Sequence, residues 1–176
     1  MTLPEERNAP HYGRVVIAGI GLIGGSLAID LRERRLAREV VSLVRRPEAA
    51  EEALARGIVD VAGCAPAIAH GAELVVLAGP VAAIPAQLES LARYLAPGCV
   101  VTDVASTKAE LMRRLPARMP PGTWLIGGHP MAGSERSGMQ HARAGLFAGA
   151  AWPICPAPDV PESAIARLEA DRKSVV

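Results

Sequence analysis

Short apolar runs alternate along this chain with longer stretches in which apolar and polar positions recur at helical spacing. Residues 14–18 read Arg-Val-Val-Ile-Ala, a β-branched run of the kind that forms a strand covered on both faces. Residues 23–35 place Leu27 and Leu31 on one face and end in Arg32, Glu33, Arg34 and Arg35, which predicts a helix. A second strand is predicted over 40–44 and a second helix over 47–56, with Pro47 in its first turn and Gly57 at its C-cap. A brief third strand at 58–61 and a short helical turn at 66–70 lead to a fourth, nearly all-apolar strand at 73–78. The helix predicted over 80–95 contains Pro85, which reads as its true first turn. A fifth strand at 99–104, a helix at 109–115 and a sixth strand at 124–127 follow. Strands and helices alternating at this rhythm predict an α/β fold with a doubly wound, mainly parallel sheet.

The ends read differently. Residues 1–13 mix Glu5, Glu6 and Arg7 with prolines and hold no apolar run, which predicts a disordered leader that is neither secretory signal nor anchor. One globular domain is expected over 14–156. Residues 152–155 give a last strand within it, and 157–176 read as a linker and the start of a further helical domain. The helix over 162–171 has an apolar face with nothing to cover it and stops at Arg172-Lys173-Ser174-Val175-Val176 without a capping signal, as in a truncated chain.

Composition narrows the classes. Half of the 176 residues are hydrophobic and the net charge is +1, so no electrostatic case exists for nucleic acid or an anionic membrane. The most apolar run, 74–86, is broken by Gly79, Pro80 and Pro85 and is too short to span a bilayer, which makes a cytoplasmic protein the expectation. Cys64, Cys99 and Cys155 fit neither a disulfide framework nor a zinc motif. No histidine shares a metal-ligand spacing with a cysteine or carboxylate, so no metal is expected.

Candidate chemistry gathers where strands end. Gly19-Ile20-Gly21-Leu22-Ile23-Gly24-Gly25-Ser26 joins the first strand to the first helix, the place and spacing of a phosphate-cradling Rossmann turn. Free N–H groups and the positive end of the helix dipole face an anion there. After the second strand such a site for NAD carries an Asp or Glu on the ribose, whereas this chain reads Ser42-Leu43-Val44-Arg45-Arg46. Guanidinium groups grip a 2′-phosphate, so NADP is the expected cofactor, read by Arg45 and Arg46, with NAD as the alternative. Two surface arginines in an arginine-rich chain are the plain alternative to that reading. Gly79-Pro80, after the fourth strand, lies at the same ligand edge and offers its backbone to the cofactor. In Asp103-Val104-Ala105-Ser106-Thr107-Lys108 either hydroxyl can serve as a helix N-cap, or Ser106 and Lys108 can project toward a substrate. His129, held extended by Pro130 in a glycine-rich loop, is as readily a catalytic base as a structural histidine.

Three motifs together carry a resemblance. Gly19-x-Gly21-Leu22-Ile23-Gly24-Gly25-Ser26, Asp103-Val104-x-Ser106-x-Lys108 and Gly128-His129-Pro130-Met131-Ala132-Gly133-x-Glu135-x-Ser137-Gly138 resemble, in order and spacing, the prephenate/arogenate dehydrogenase family of tyrosine biosynthesis. Related Rossmann dehydrogenases share the first motif but not the last. The resemblance runs from about residue 14 to the end of the chain. It implies NAD- or NADP-dependent oxidation and decarboxylation of prephenate to 4-hydroxyphenylpyruvate, or of arogenate to tyrosine. It implies that His129 draws the proton from the substrate hydroxyl, that Ser106 holds that hydroxyl, and that Glu135 belongs to the polar network that positions or gates substrate. Lys108 and Ser137 are expected at the substrate site, and Gly19, Gly21, Leu22, Ile23, Gly24, Gly79 and Pro80 at the cofactor. Family members continue into an all-helical domain that forms a homodimer and supplies an arginine to the substrate carboxylate. This chain stops before such a domain, so half a substrate site and a monomer are expected of it. Two other readings are a non-catalytic dinucleotide-binding fragment and a Rossmann oxidoreductase of the β-hydroxyacid or imine reductase type.

Overall fold

The computed structural model describes residues 11–133 and 136–176. Its sheet has seven strands: β1 (Tyr12–Ala18), β2 (Ala37–Leu43), β3 (Val61–Gly63), β4 (Leu74–Leu77), β5 (Val100–Asp103), β6 (Trp124–Gly128) and β7 (Ile154–Pro156). They lie in the order β3-β2-β1-β4-β5-β6-β7, all parallel except β7, which runs antiparallel to β6. The helices are α1 (Leu22–Glu33), α2 (Pro47–Ala55), α3 (Ile84–Ala92), α4 (Ala109–Arg114) and α5 (Glu162–Val175). This is the Rossmann-type, doubly wound α/β fold. Strand order reverses between β1 and β4, the switch point beside which ligands of open α/β sheets bind.

Alternation along each strand builds a core on either face. Val15 and Ile17 of β1, with Leu74 and Val76 of β4, point into the layer under α1, α2 and α5. Val16 and Ala18, with Val75 and Leu77, point into the layer of α3 and α4. Both faces are covered, which is why these strands read as unbroken apolar runs. Pro85 does stand in the first turn of α3, preceded by a short 3-10 turn at Val81–Ala83.

The structure departs from the sequence reading in places that distant contacts decide. Strand β1 opens at Tyr12, paired with Ala37 and almost fully buried, so the expected leader does not reach residue 13; residues 1–10 lie outside the described residues. The third strand is Val61–Gly63 rather than 58–61, because Ile58 bonds back to the Ala53 carbonyl and both Ile58 and Val59 sink into the core closing α2. The last strand is Ile154–Pro156, since Trp152 is drawn out of line to pack on Phe147, ring centroids 5.0 Å apart. Helix α5 does not leave an apolar face open: Ala164, Leu168 and Val175 are buried in the layer shared with α1.

Phe147 is fully buried and joins Trp152 and Leu146 to the α1 layer. Phe147→Ala is expected to cost about 3–5 kcal/mol, by lost burial and the cavity left behind. Denaturant unfolding followed by tryptophan fluorescence measures it, and a cost below about 1 kcal/mol would mean that this corner collapses freely.

Candidate cofactor and substrate cleft

Two turns make the floor of the site, one after β1 and one after β4. Gly19 sits at φ +109°, and a Cβ there would come within 2.8 Å of the Ala78 carbonyl. A Cβ on Gly24 would run into the Gly19 carbonyl oxygen and press on Ala78 Cβ at 3.0 Å. Those two glycines let helix, turn and neighbouring strand close together. Gly21 is different: a Cβ built on it meets nothing within 4 Å. Its bare face opens onto free space at the start of α1, where the first intrahelical bond runs from the Gly25 N–H to the Gly21 carbonyl at 2.8 Å. The amides of Leu22, Ile23 and Gly24 precede that bond, no side chain caps them, and no acidic residue lies in the first turn. The result is a positive, backbone-lined cradle of the shape that a pyrophosphate fits.

The cradle opens two ways. On one side a cleft of about 480 Å³ is lined by Gly21, Pro80, Arg45, Arg46 and Glu52. Both arginines are exposed at the end of β2. Glu52, on α2, was not singled out from the sequence because it falls on a polar helix face; its carboxylate pairs with Arg56 at 3.1 Å. On the other side an open cleft of about 930 Å³ runs from Gly21 and Gly79 to Ser106, His129, Arg136 and Ser137. Ser106 and His129, widely separated in the sequence, thus line the same space as the cradle.

The placement of these two side chains follows from a close approach of β5 and β6. A Cβ on Gly128 would lie 2.7 Å from the Asp103 carbonyl oxygen and 3.0 Å from Trp152 Nε1. His129 follows directly, its N–H bonded to the Pro153 carbonyl at 3.0 Å, and Met131 is tied to Ala151 at 2.8 Å. The histidine is therefore carried on fixed backbone. The Ser106 loop is fixed from below: fully buried Asp103 accepts the Ala105 N–H at 2.9 Å and pairs with the Lys108 ammonium. Neither Ser106 nor Thr107 caps α4, whose N-cap is Lys108 without a side-chain bond.

Lys108 is placed beside Asp103 and is absent from the lining of the larger cleft. Glu135 lies outside the described residues. The sequence reading passed over Arg136, which lines the larger cleft, and also Ser26 and Asp30 on the buried face of α1. Ser26 Oγ accepts the Arg143 N–H at 3.0 Å and Asp30 accepts the Gly145 N–H at 2.9 Å. Together they hold the 143–145 loop to α1 and so bring residues 137–140 over the glycine turn. Two polar residues one turn apart among Leu27 and Leu31 were the signal for this. Among the described residues no cluster of His, Cys, Asp or Glu could hold a metal, and no helix is long and apolar enough to cross a membrane.

Compared with known families, residues 27–171 match the model described as prephenate dehydrogenase, nucleotide-binding domain. The chain belongs to this family. Prephenate dehydrogenase of Bacillus subtilis (strain 168) is 31% identical over 159 residues, covering 88% of this chain and 42% of that protein. Arogenate dehydrogenase of Synechocystis superposes with a TM-score of 0.86 at 32% identity, over 92% of this chain and 56% of that one. Prephenate dehydrogenase of A. aeolicus, in complex with hydroxyphenyl propionate and NAD+, gives 0.86 at 26% identity, over 93% and 57%. The chain spans about two fifths of the length of the Bacillus relative. The prephenate dehydrogenase match starts inside α1, so the glycine cradle before it stands on its own geometry.

Removing the ammonium beside Asp103 leaves a buried charge with one backbone partner. Lys108→Met is expected to destabilise by on the order of 3 kcal/mol, and adding Asp103→Asn should recover most of the loss. Thermal unfolding of the single and double variants checks it; an unchanged midpoint for Lys108→Met would return the lysine to the cleft.

Proposed function

We propose that this chain is the cofactor-binding part of a dehydrogenase that oxidises and decarboxylates prephenate or arogenate with NADP. The observation that carries the reading is the convergence of the Gly21 cradle, Ser106 and His129 on one cleft. When bound, the nicotinamide dinucleotide supplies the hydride acceptor. The chain's own residues do the rest. The Leu22, Ile23 and Gly24 amides hold the pyrophosphate, aided by the backbone of Gly19, Gly79 and Pro80. Ser106 donates to the substrate hydroxyl oxygen and fixes its position. His129 takes the hydroxyl proton as hydride leaves the same ring carbon, giving a carbonyl. Loss of carbon dioxide sends its bonding pair into the ring, and His129 returns the proton to the phenolate oxygen. Aromatisation drives the sequence, so the residues contribute chiefly orientation. Ser137 adds to the polar side of this site, Glu135 takes the substrate-positioning role that the family resemblance implies, and Lys108 acts through Asp103 by holding the Ser106 loop.

Arg45 and Arg46 support NADP over NAD, because the end of β2 offers two cations and no carboxylate to the ribose. NAD is the second reading. Glu52 favours it, as a carboxylate on the same cleft that could accept from ribose hydroxyls if it left Arg56.

Calorimetric titration of the chain with NADP+ and NAD+ separates the two. Arg45→Ala should weaken NADP+ binding about 10- to 100-fold, the worth of a charge-assisted hydrogen bond, and leave NAD+ binding unchanged. Equal losses for both would remove the arginine from the 2′-phosphate. In a full-length enzyme built on this chain, His129→Asn should cut turnover of prephenate or arogenate by about two to four orders of magnitude without altering cofactor affinity. A near-normal rate, read by absorbance of the reduced nicotinamide, would make His129 structural.

A further inference from the structure

The edge of the sheet opposite the cleft carries a second cluster of ionisable groups, drawn from three elements. Arg167 of α5 lies 4.2 Å above the Tyr12 ring, donates twice to the His11 carbonyl at 2.9 and 2.7 Å, and pairs with Glu73 at the entry to β4. Glu73 also accepts the Gly13 N–H at 3.2 Å. One turn further along α5, Asp171 is buried to 5% exposure, its Oδ1 3.8 Å from His11 Nδ1. Among the described residues neither of those two atoms has a hydrogen-bond partner, nor do the Tyr12 hydroxyl and Arg172 Nε nearby.

Charge balance decides what this arrangement does. Arg167 and Glu73 neutralise one another. Asp171 faces Tyr12 and His11 on the β1 side and Leu74, Val76 and Thr102 on the sheet, and among the described residues the cations beside it are Arg167 and Arg172, both on its own helix. Cys99, whose thiol burial pushes up to about 12, adds no charge beside Glu73. From α1, Arg34 is occupied with Asp30 and the Ser174 carbonyl. A proton on Asp171 would leave no unbalanced anion in the layer.

We propose that Asp171 is a proton-operated latch that fastens α5 onto β1 and α1, closing when its buried carboxyl takes up a proton and loosening when it gives it up. Burial, offset only in part by Arg167, raises the Asp171 carboxyl from its ordinary acidic range to about 7. A carboxyl raised in the docked state favours docking below its free value, and that contribution is lost as pH climbs through the docked value. The window thus lies between about pH 4 and pH 7. Because Leu168 and Val175 of α5 share their layer with Leu27 and Leu31 of α1, the latch also braces the helix whose far end forms the glycine cradle.

Hydrogen exchange on the whole chain tests this, with peptides of β4 and β5 as the internal reference. After correction for intrinsic rates, protection of residues 162–175 should fall about 100-fold from pH 5 to pH 8 relative to the reference. Asp171→Asn, neutral and of the same shape, should keep α5 protected with no such slope. Wild-type protection that stays flat or rises across this range overturns the proposal, as does a slope shared by Asp171→Asn. If that variant does not fold, the carboxyl carbon shift of Asp171 in the wild-type chain decides: a midpoint above about pH 6 supports the latch, and one in the ordinary carboxylate range near pH 4 overturns it.

Discussion

Everything at the ligand edge depends on how closely the chain passes itself between β1 and β4. Gly19 and Gly24 lie against Ala78 with no room for a further carbon, and the helix start is thereby pressed to the switch point of the sheet. That contact aims three free amides at one spot and leaves the bare face of Gly21 open. A second close passage, Gly128 over the Asp103 carbonyl, does the same for the substrate side, setting His129 across from the loop that carries Ser106. Membership of the prephenate dehydrogenase family supports the proposed chemistry; the two close contacts say how the side chains come to face the cleft.

The parts of the fold that were legible in the sequence are those fixed by local pattern. Strands β1, β2, β4, β5 and β6 are covered on both faces, so each announces itself as an apolar run, and Gly19 and Gly24 mark the cradle because a Cβ at either would run into backbone. What escaped depended on distant partners. Tyr12 belongs to β1 because Arg167 lies over its ring and α5 buries it, more than 150 residues away. Ile58 and Val59 look like a strand but are consumed in closing α2. The side-chain direction of Lys108 could not be read from its place at the sheet edge, since an unpaired Asp103 in the core outcompetes the cleft for its ammonium.

The two edges of the sheet divide the work. The carboxyl edge keeps backbone amides, Arg45 and Arg46, a serine and a histidine facing open space. At the opposite edge, polar groups are drawn inward and must satisfy each other, which is why a single proton on Asp171 carries weight there. Helix α1 spans the two. Its first turn forms the cradle and its apolar face shares a layer with α5, so the stiffness of the cofactor site rests on packing far from any ligand.

The central claim is that one dinucleotide lies across the Gly21 cradle with its reactive end beside His129. Titration of the isotope-labelled chain with NADP+, followed by backbone amide shifts, tests it most directly. Saturable changes concentrated at Gly19–Gly24, Arg45–Arg46, Gly79 and His129 are predicted. Changes confined to other surfaces, or the absence of saturable change at the first turn of α1, would contradict the account.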